Sequence, residues 1–224
     1  MAISYNSNIV TSGLVLCTDA GNPRSYSGSG TQWNDATSSG FNFSLTNGPV
    51  YSSSNLGSFT FDGVNDFASA SDNTALNTQT PTVEVWVKTN ATNQNGFWFE
   101  KGNVNTQYAL FQEGGFIKWR MNIGGITELA TTTASFMNTS SWFQVVGTYT
   151  SGSRILYING VQVNSDAQTG TISTNSSGMF IGAHGTGTGY WYNGALSICR
   201  VYNRVLSAAE VLQNFNATRG RYGI

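Results

Sequence analysis

Trp142-Phe143-Gln144-Val145-Val146-Gly147-Thr148-Tyr149 and, just beyond it, Arg154-Ile155-Leu156-Tyr157-Ile158-Asn159-Gly160-Val161-Gln162-Val163 form the stretch on which the reading of the fold turns. Both runs are dense in β-branched and aromatic residues, which suit a pleated, half-buried surface. Ser151-Gly152-Ser153 between them offers a tight turn. Asn159-Gly160 suits the two positive φ angles of a type I′ hairpin. The stretch therefore predicts an antiparallel meander of three strands.

The same pattern extends outward. In Thr82-Val83-Glu84-Val85-Trp86-Val87-Lys88, which follows Pro81, the three valines fall on one face and Glu84, Trp86 and Lys88 on the other, as in a two-faced strand of a sandwich. Ser58 to Ala68 alternates apolar and polar residues about Gly63 and predicts a strand, a tight bend and a strand. Further strands are predicted at Phe97–Gly102, Tyr108–Phe111, Phe116–Met121, Met179–Gly182 and Ala195–Tyr202, with Gly13–Cys17 as the first in the chain. Ser25 to Gly40 reads as a loop holding Trp33 and Asp35. One helix is expected, opened by the capping box Ser207-Ala208-Ala209-Glu210 and flanked by Leu206 and Val211 at hydrophobic-staple positions. The prediction is an all-β, antiparallel two-sheet sandwich of jelly-roll type with one short C-terminal helix. It occupies residues 1–224 as a single domain, with an N-terminal strand and loop, 1–57, packed on a core of 58–215.

Several of these stretches resemble one family. A Trp followed by Gly147-Thr148-Tyr149 and Leu156-Tyr157-Ile158-Asn159-Gly160, the run Phe61-Asp62-Gly63-Val64-Asn65-Asp66-Phe67, and the ending Val201 to Glu210 resemble the laminin G-like domains of the concanavalin A-like lectin/glucanase superfamily. The likeness spans Ser58 to about Phe215. Asp19 to Tyr26 and Gly28 to Asp35 are also similar to the opening of many jelly-roll proteins in virions of tailed phages, particularly marine ones. This resemblance implies a virion surface protein, a capsid decoration or tail-associated accessory subunit. Its partners would be other virion proteins, host-surface glycans and further copies of itself.

Composition narrows the function classes. At 224 residues the chain can bury roughly 70–75% of its unfolded surface. Charged residues make up 9% and the net charge is −1, so no basic stripe exists to neutralise phosphates and no nucleic-acid partner is expected. Nor is membrane insertion expected, since no segment is long and apolar enough to span a bilayer. Met1 to Val10 lacks the basic start and apolar run of a signal peptide, which implies synthesis in a cytoplasm. A bridge between Cys17 and Cys199 is permitted by their strand-like surroundings, but the rarity of cytoplasmic disulfides favours buried free thiols.

Catalytic residues are not expected. Glucanases of this superfamily carry Glu-x-Asp-x-x-Glu on one strand, whereas Glu84, Glu100, Glu113, Glu128 and Glu210 each stand alone. His184 is the only histidine and reads as a solvated loop residue. A stand-alone lectin is the alternative reading, with a glycoside hydrolase behind it. No cofactor is expected beyond a structural calcium ion, which the resemblance suggests. Asp62, Asn65 and Asp66 offer hard oxygens for it on adjoining turns, although Asp62 capping its own turn explains the pattern as well. That ion would lack one ligand, because Ser197 stands where relatives commonly carry Asp. For glycan or partner binding the candidates are Trp33, Tyr190 and Trp191, aromatic residues in polar or Gly-rich loops that either stack on a sugar or pack over the end of the sandwich.

Overall fold

A computed structural model describes residues 8–103, 106–131, 137–185 and 189–224. In chain order the strands are β1 (Leu14–Asp19), β2 (Gln32–Trp33), β3 (Phe43–Thr46), β4 (Val50–Ser52), β5 (Ser58–Asp62) and β6 (Phe67–Ala70). There follow β7 (Thr82–Thr89), β8 (Gly96–Lys101), β9 (Tyr108–Glu113), β10 (Phe116–Asn122) and β11 (Ile126–Ala130). The last are β12 (Phe143–Thr150), β13 (Ser153–Ile158), β14 (Val161–Asp166), β15 (Met179–Ile181) and β16 (Asn193–Tyr202), and helix α1 (Ala208–Thr218) comes after them. Two antiparallel sheets result. One runs β14-β13-β12-β7-β16-β5-β4 with β1 also on β16, and the other runs β11-β10-β9-β8-β15-β6-β3-β2.

The meander forms as its residues dictate. Asn159 and Gly160 take φ of 50° and 77°, so the hairpin between β13 and β14 has both positive angles its turn needs. Inside the sandwich Val83, Val85 and Val87 meet Leu196, Cys199 and Val201 from the same sheet, with Trp98, Leu110, Trp119 and Met121 from the opposite one. Burying each such side chain contributes about 1.5–3 kcal/mol. Gly147 is required by this packing, because a Cβ placed there would lie 2.5 Å from the Trp119 indole.

The outer face of the first sheet is roofed. Ser207 and Glu210 close their capping box, and Leu206 and Val211 join Val10, Val146, Tyr157 and Tyr202 in one apolar cluster. Trp86 stacks against Tyr222 at 4.3 Å and Phe215 at 5.9 Å. Between these apolar contacts lies a buried polar knot. Glu84 accepts from Arg200 at 2.7 Å, Asn214 at 2.8 Å, Gln144 at 3.0 Å and Trp86 at 3.3 Å, and so ties helix to sheet.

Cys17 and Cys199 are buried free thiols. The register explains why. Cys17 pairs with Arg200, and Thr18 pairs with Cys199. Leu16 and Cys199 face the core, so alternation sends Cys17 to the other side of the sheet. Burial pushes both thiols up from their ordinary range, which leaves them poor nucleophiles.

The short strands β3, β4 and β11 and the two-residue β2 were not predicted. Trp33 therefore lies in a paired strand and not in a loop, with Gln32 opposite Ser44 and Trp33 opposite Phe43.

Candidate functional site

The helix covers one sheet, and the centre of the other sheet's outer face is built by β8, β9, β10 and β11. A register shift between Phe97 and Phe99 sends Trp98 and Phe99 both into the core. The flanking Phe97 and Glu100 turn outward as a result. One cross-strand row then reads Phe97, Phe111, Lys118, and the next reads Glu100, Ala109, Arg120, Glu128.

Aromatic rings form the base. Phe97 and Phe111 stack with centroids 4.4 Å apart, and the His184 ring lies 4.6 Å from Phe97. Above them Tyr190 meets Phe97 and His184 edge-on at 6.0 and 5.9 Å. The Arg120 guanidinium lies over Phe111 at 4.5 Å and over Phe97 at 5.3 Å, a cation–π arrangement that shields both rings. A belt of ion pairs surrounds the rings. Lys118 holds Glu113 and, at 2.9 Å, Glu128, while Arg120 holds Glu128 at 2.6 Å. Burial alone would raise the Glu128 carboxyl, but the hydrogen bonds from Lys118 and Arg120 outweigh it and hold the group below its ordinary range.

Tyr190 is the unusual member. Its φ is 52°, a left-handed conformation in which a bulky side chain is a genuine outlier. It is held there by its carbonyl, which accepts from the Phe97 amide at 3.2 Å. The residue stays 46% exposed. Strain of this kind costs on the order of 1–3 kcal/mol and persists only where the surroundings impose it.

His184 is not the solvated loop residue expected from sequence, and Glu100 does not stand alone. The Glu100 carboxylate is fully buried and accepts from Thr106 at 2.5 Å, the Gly185 amide at 2.6 Å and His184 Nδ1 at 2.8 Å. Since a carboxylate accepts, the His184 Nδ1–H donates. The bond fixes the imidazole over Phe97.

The other expected site residues separate. Trp33 is fully buried and packs against Phe59 at 4.9 Å, so it offers no open face to a ligand. This is the correction to the set of three aromatics, and its cause is the pairing of β2 with β3. Trp191 is half-buried beside Tyr190. Asp62, Asn65 and Asp66 lie together on the turn between β5 and β6, where one carboxylate oxygen of each Asp bonds the backbone. Asp62 Oδ1 takes the amides of Val64, Asn65 and Asp66 at 2.8, 3.2 and 3.4 Å, and Asp66 Oδ2 takes that of Asp62 at 3.1 Å. The carbonyl of Asn65 accepts from Asn47 at 2.7 Å. Amide bonding, from Val64 foremost, lowers the Asp62 carboxyl, and burial raises that of Asp66. Calcium takes six to eight oxygens, so an ion at this turn would need ligands beyond these three residues. Among the described residues no group of three or more His, Cys, Asp or Glu side chains is placed to hold a metal ion. Ser197, for its part, bonds the Gly57 carbonyl and receives the Arg221 guanidinium, both from within the chain.

What this face can do chemically follows from its spacing. Glu100 and Glu128 share a row but stand three strands apart, about 14 Å at the ordinary strand separation. Glycoside hydrolysis needs its two carboxylates about 5–9.5 Å apart. Glu113 and Glu128 do converge, but upon the Lys118 ammonium that stands between them. Stacking and hydrogen bonding remain, through Tyr190, His184 and the charged belt.

Sequence reasoning missed Lys118, Arg120, Glu100 and His184. A signal was present for the first two, since Phe116-Ile117-Lys118-Trp119-Arg120 alternates and places both cations on the side away from the core.

Comparison with known proteins agrees with this architecture. Residues 62–212 match the family described as the concanavalin A-like lectin/glucanases superfamily. No curated protein matches the sequence. Among solved structures the chain is similar to the binding domain of Paraclostridial mosquitocidal protein 1, with a TM-score of 0.73 at 18% identity over 92% of this chain and 52% of that one. It is similar to the receptor-binding domain of botulinum neurotoxin type G, with a TM-score of 0.69 at 16% identity over 91% of this chain and 51% of that one. It is also similar to domain 4 of AbnA, an extracellular arabinanase from Geobacillus stearothermophilus in complex with arabinotriose, with a TM-score of 0.71 at 14% identity over 92% of this chain and 99% of that one. The chain spans about half the length of the two toxin domains. At these identities the likeness is one of fold.

Proposed function

The chain belongs to the concanavalin A-like lectin/glucanases superfamily, and from that premise we propose that it is a non-enzymatic binding module that recognises saccharides on the outer face around Tyr190. The observation that carries this reading is the conformation of Tyr190. A bulky aromatic held at positive φ and left 46% exposed carries strain that favours presentation over packing. A pyranose stacks on such a ring through its C–H face, while guanidinium, ammonium and carboxylate groups beside it bond the hydroxyls. Catalysis is disfavoured by the carboxylate spacing and by the salt-bridged state of Glu113 and Glu128.

A glycan array followed by calorimetry on the strongest hits tests this. Tyr190→Ala should weaken binding about tenfold, the worth of one aromatic contact. Tyr190→Asn should abolish stacking while keeping or raising stability, because Asn tolerates the left-handed region. Silence across the array would remove the reading, and release of reducing ends from polysaccharides would replace it with hydrolysis.

We further place this module on the exterior of a phage particle, as a capsid decoration or tail-associated subunit contacting other virion proteins. Support comes from the similarity of Asp19–Tyr26 and Gly28–Asp35 to the openings of phage jelly-roll proteins. In the fold these residues bracket the sandwich, since Asp35 accepts from the Cys17 amide at 2.9 Å and Asp19 pairs with Arg221 at 2.6 Å. Mass spectrometry of purified virions tests the placement. Absence of the protein from particles would favour a stand-alone lectin.

A further inference from the structure

We infer that the Tyr190 face selects neutral saccharides over acidic ones, because its charged side chains are already matched one against another. The inference rests on the saccharide-binding reading and adds the ligand's chemical class. Two cations and two carboxylates lie over the aromatic base, Lys118 and Arg120 against Glu113 and Glu128. Each cation is engaged. Lys118 Nζ touches both carboxylates, and Arg120 reaches Glu128 Oε1 through Nε at 2.8 Å and through a terminal nitrogen at 2.6 Å. The third carboxylate, Glu100, lies beneath His184 and holds it at 2.8 Å.

An acidic sugar approaching this surface gains no uncommitted cation. Its carboxylate or sulfate would have to displace Glu113 or Glu128 from Lys118, or sit beside them at the cost of like-charge repulsion. A neutral sugar meets no such conflict. Its hydroxyls both donate and accept, so one hydroxyl can donate to a Glu128 oxygen while another accepts from the Arg120 guanidinium, with the ion pairs intact. The ring then covers Tyr190 and the edge of His184. This is recognition by matched donors and acceptors, not by net charge, and it accords with a chain whose net charge is −1.

The test uses the full chain against matched pairs of oligosaccharides that differ in a carboxylate or sulfate group. Affinity for the neutral member should be at least about tenfold higher, and should change less than about twofold between roughly 0.05 and 0.5 M NaCl, since screening acts on uncompensated charge. Glu113→Gln combined with Glu128→Gln frees two cations, and should raise affinity for the acidic member about tenfold at low salt, an effect that salt removes. Lys118→Ala combined with Glu113→Ala deletes one charge of each sign and should keep the neutral preference. It also guards against misfolding of the first variant, with both checked by urea midpoint. Preference of the wild-type chain for acidic glycans, falling steeply with salt, would overturn the inference and leave saccharide binding standing. Binding to no glycan at all would overturn both.

Discussion

Replacing Arg200 with Met should be the most damaging single change beneath the helix. Glu84 is fully buried, and its counter-charge is the Arg200 guanidinium at 2.7 Å, itself 5% exposed. Burial would lower the arginine's proton affinity, but the Glu84 carboxylate outweighs it and raises the arginine above its ordinary range, so the guanidinium stays charged. Removing one partner of such a pair leaves an uncompensated charge in a dry setting and costs about 3–5 kcal/mol. Asn214, Gln144 and Trp86 still donate to Glu84 in the variant. The lower end, about 3 kcal/mol, is therefore expected. That is a large part of the roughly 5–15 kcal/mol by which domains are stable, and corresponds to about 6–12 °C in melting temperature at this size. Urea unfolding followed by tryptophan fluorescence measures it, with an unchanged slope showing that the two-state span is preserved. Glu84→Gln in the Arg200→Met background should recover most of the loss, because the stranded charge is gone. If Arg200→Met costs under about 1 kcal/mol, or the double variant is as unstable as the single, Glu84 and Arg200 are not coupled as described.

The Arg204 hydrogen bond, and after it the Ser207 amide, lower the Glu210 carboxyl from 4.5 to about 2. A lowered folded-state value means that the stabilisation is complete above about 4.5 and is lost as pH falls from there through about 2. Because Glu210 is 29% exposed, screening reduces this to about 1 kcal/mol at pH 7. Urea curves of wild type and Glu210→Gln should thus differ at neutral pH and converge near the acid limit. Gly147→Ala should cost about 1–3 kcal/mol through overpacking against Trp119, read as a lower urea midpoint. Adding calcium or EDTA should move the melting temperature by less than about 2 °C, since bound ligand in excess would stabilise by several kcal/mol, and a larger shift would restore Asp62, Asn65 and Asp66 as ligands.

The sequence displayed what is decided locally. The Asn159-Gly160 turn, the alternating valines of β7 and the Ser207–Glu210 box are each settled within a few residues, and each formed as expected. Trp33 does not read as strand because Gln32–Trp33 has no periodicity of its own and becomes strand only through pairing with Phe43 and Ser44. The proposed binding face is hidden for a related reason. His184 and Glu100 are 84 positions apart and meet only because Met179 and Phe180 of β15 pair with Lys101 and Glu100 of β8. The left-handed backbone of Tyr190 is likewise imposed by tertiary contact, the bond from Phe97 to its carbonyl. Lys118 and Arg120 were legible in outline from alternation. Their pairing with Glu128 required the register of β10 on β11.

The roof over one sheet has a geometric outcome. If the Tyr190 face binds as proposed, a slab roofed on its back would meet a broad surface from the front. Copies mounted side by side on a common support would then all look the same way, and feeble single grips would combine. A tethered second grip acts at an effective concentration in the millimolar range, which multiplies overall hold by about 10²–10⁴ without any new contact. The asymmetry of Trp86, shut beneath Tyr222, and Tyr190, 46% exposed, would give such an array its direction.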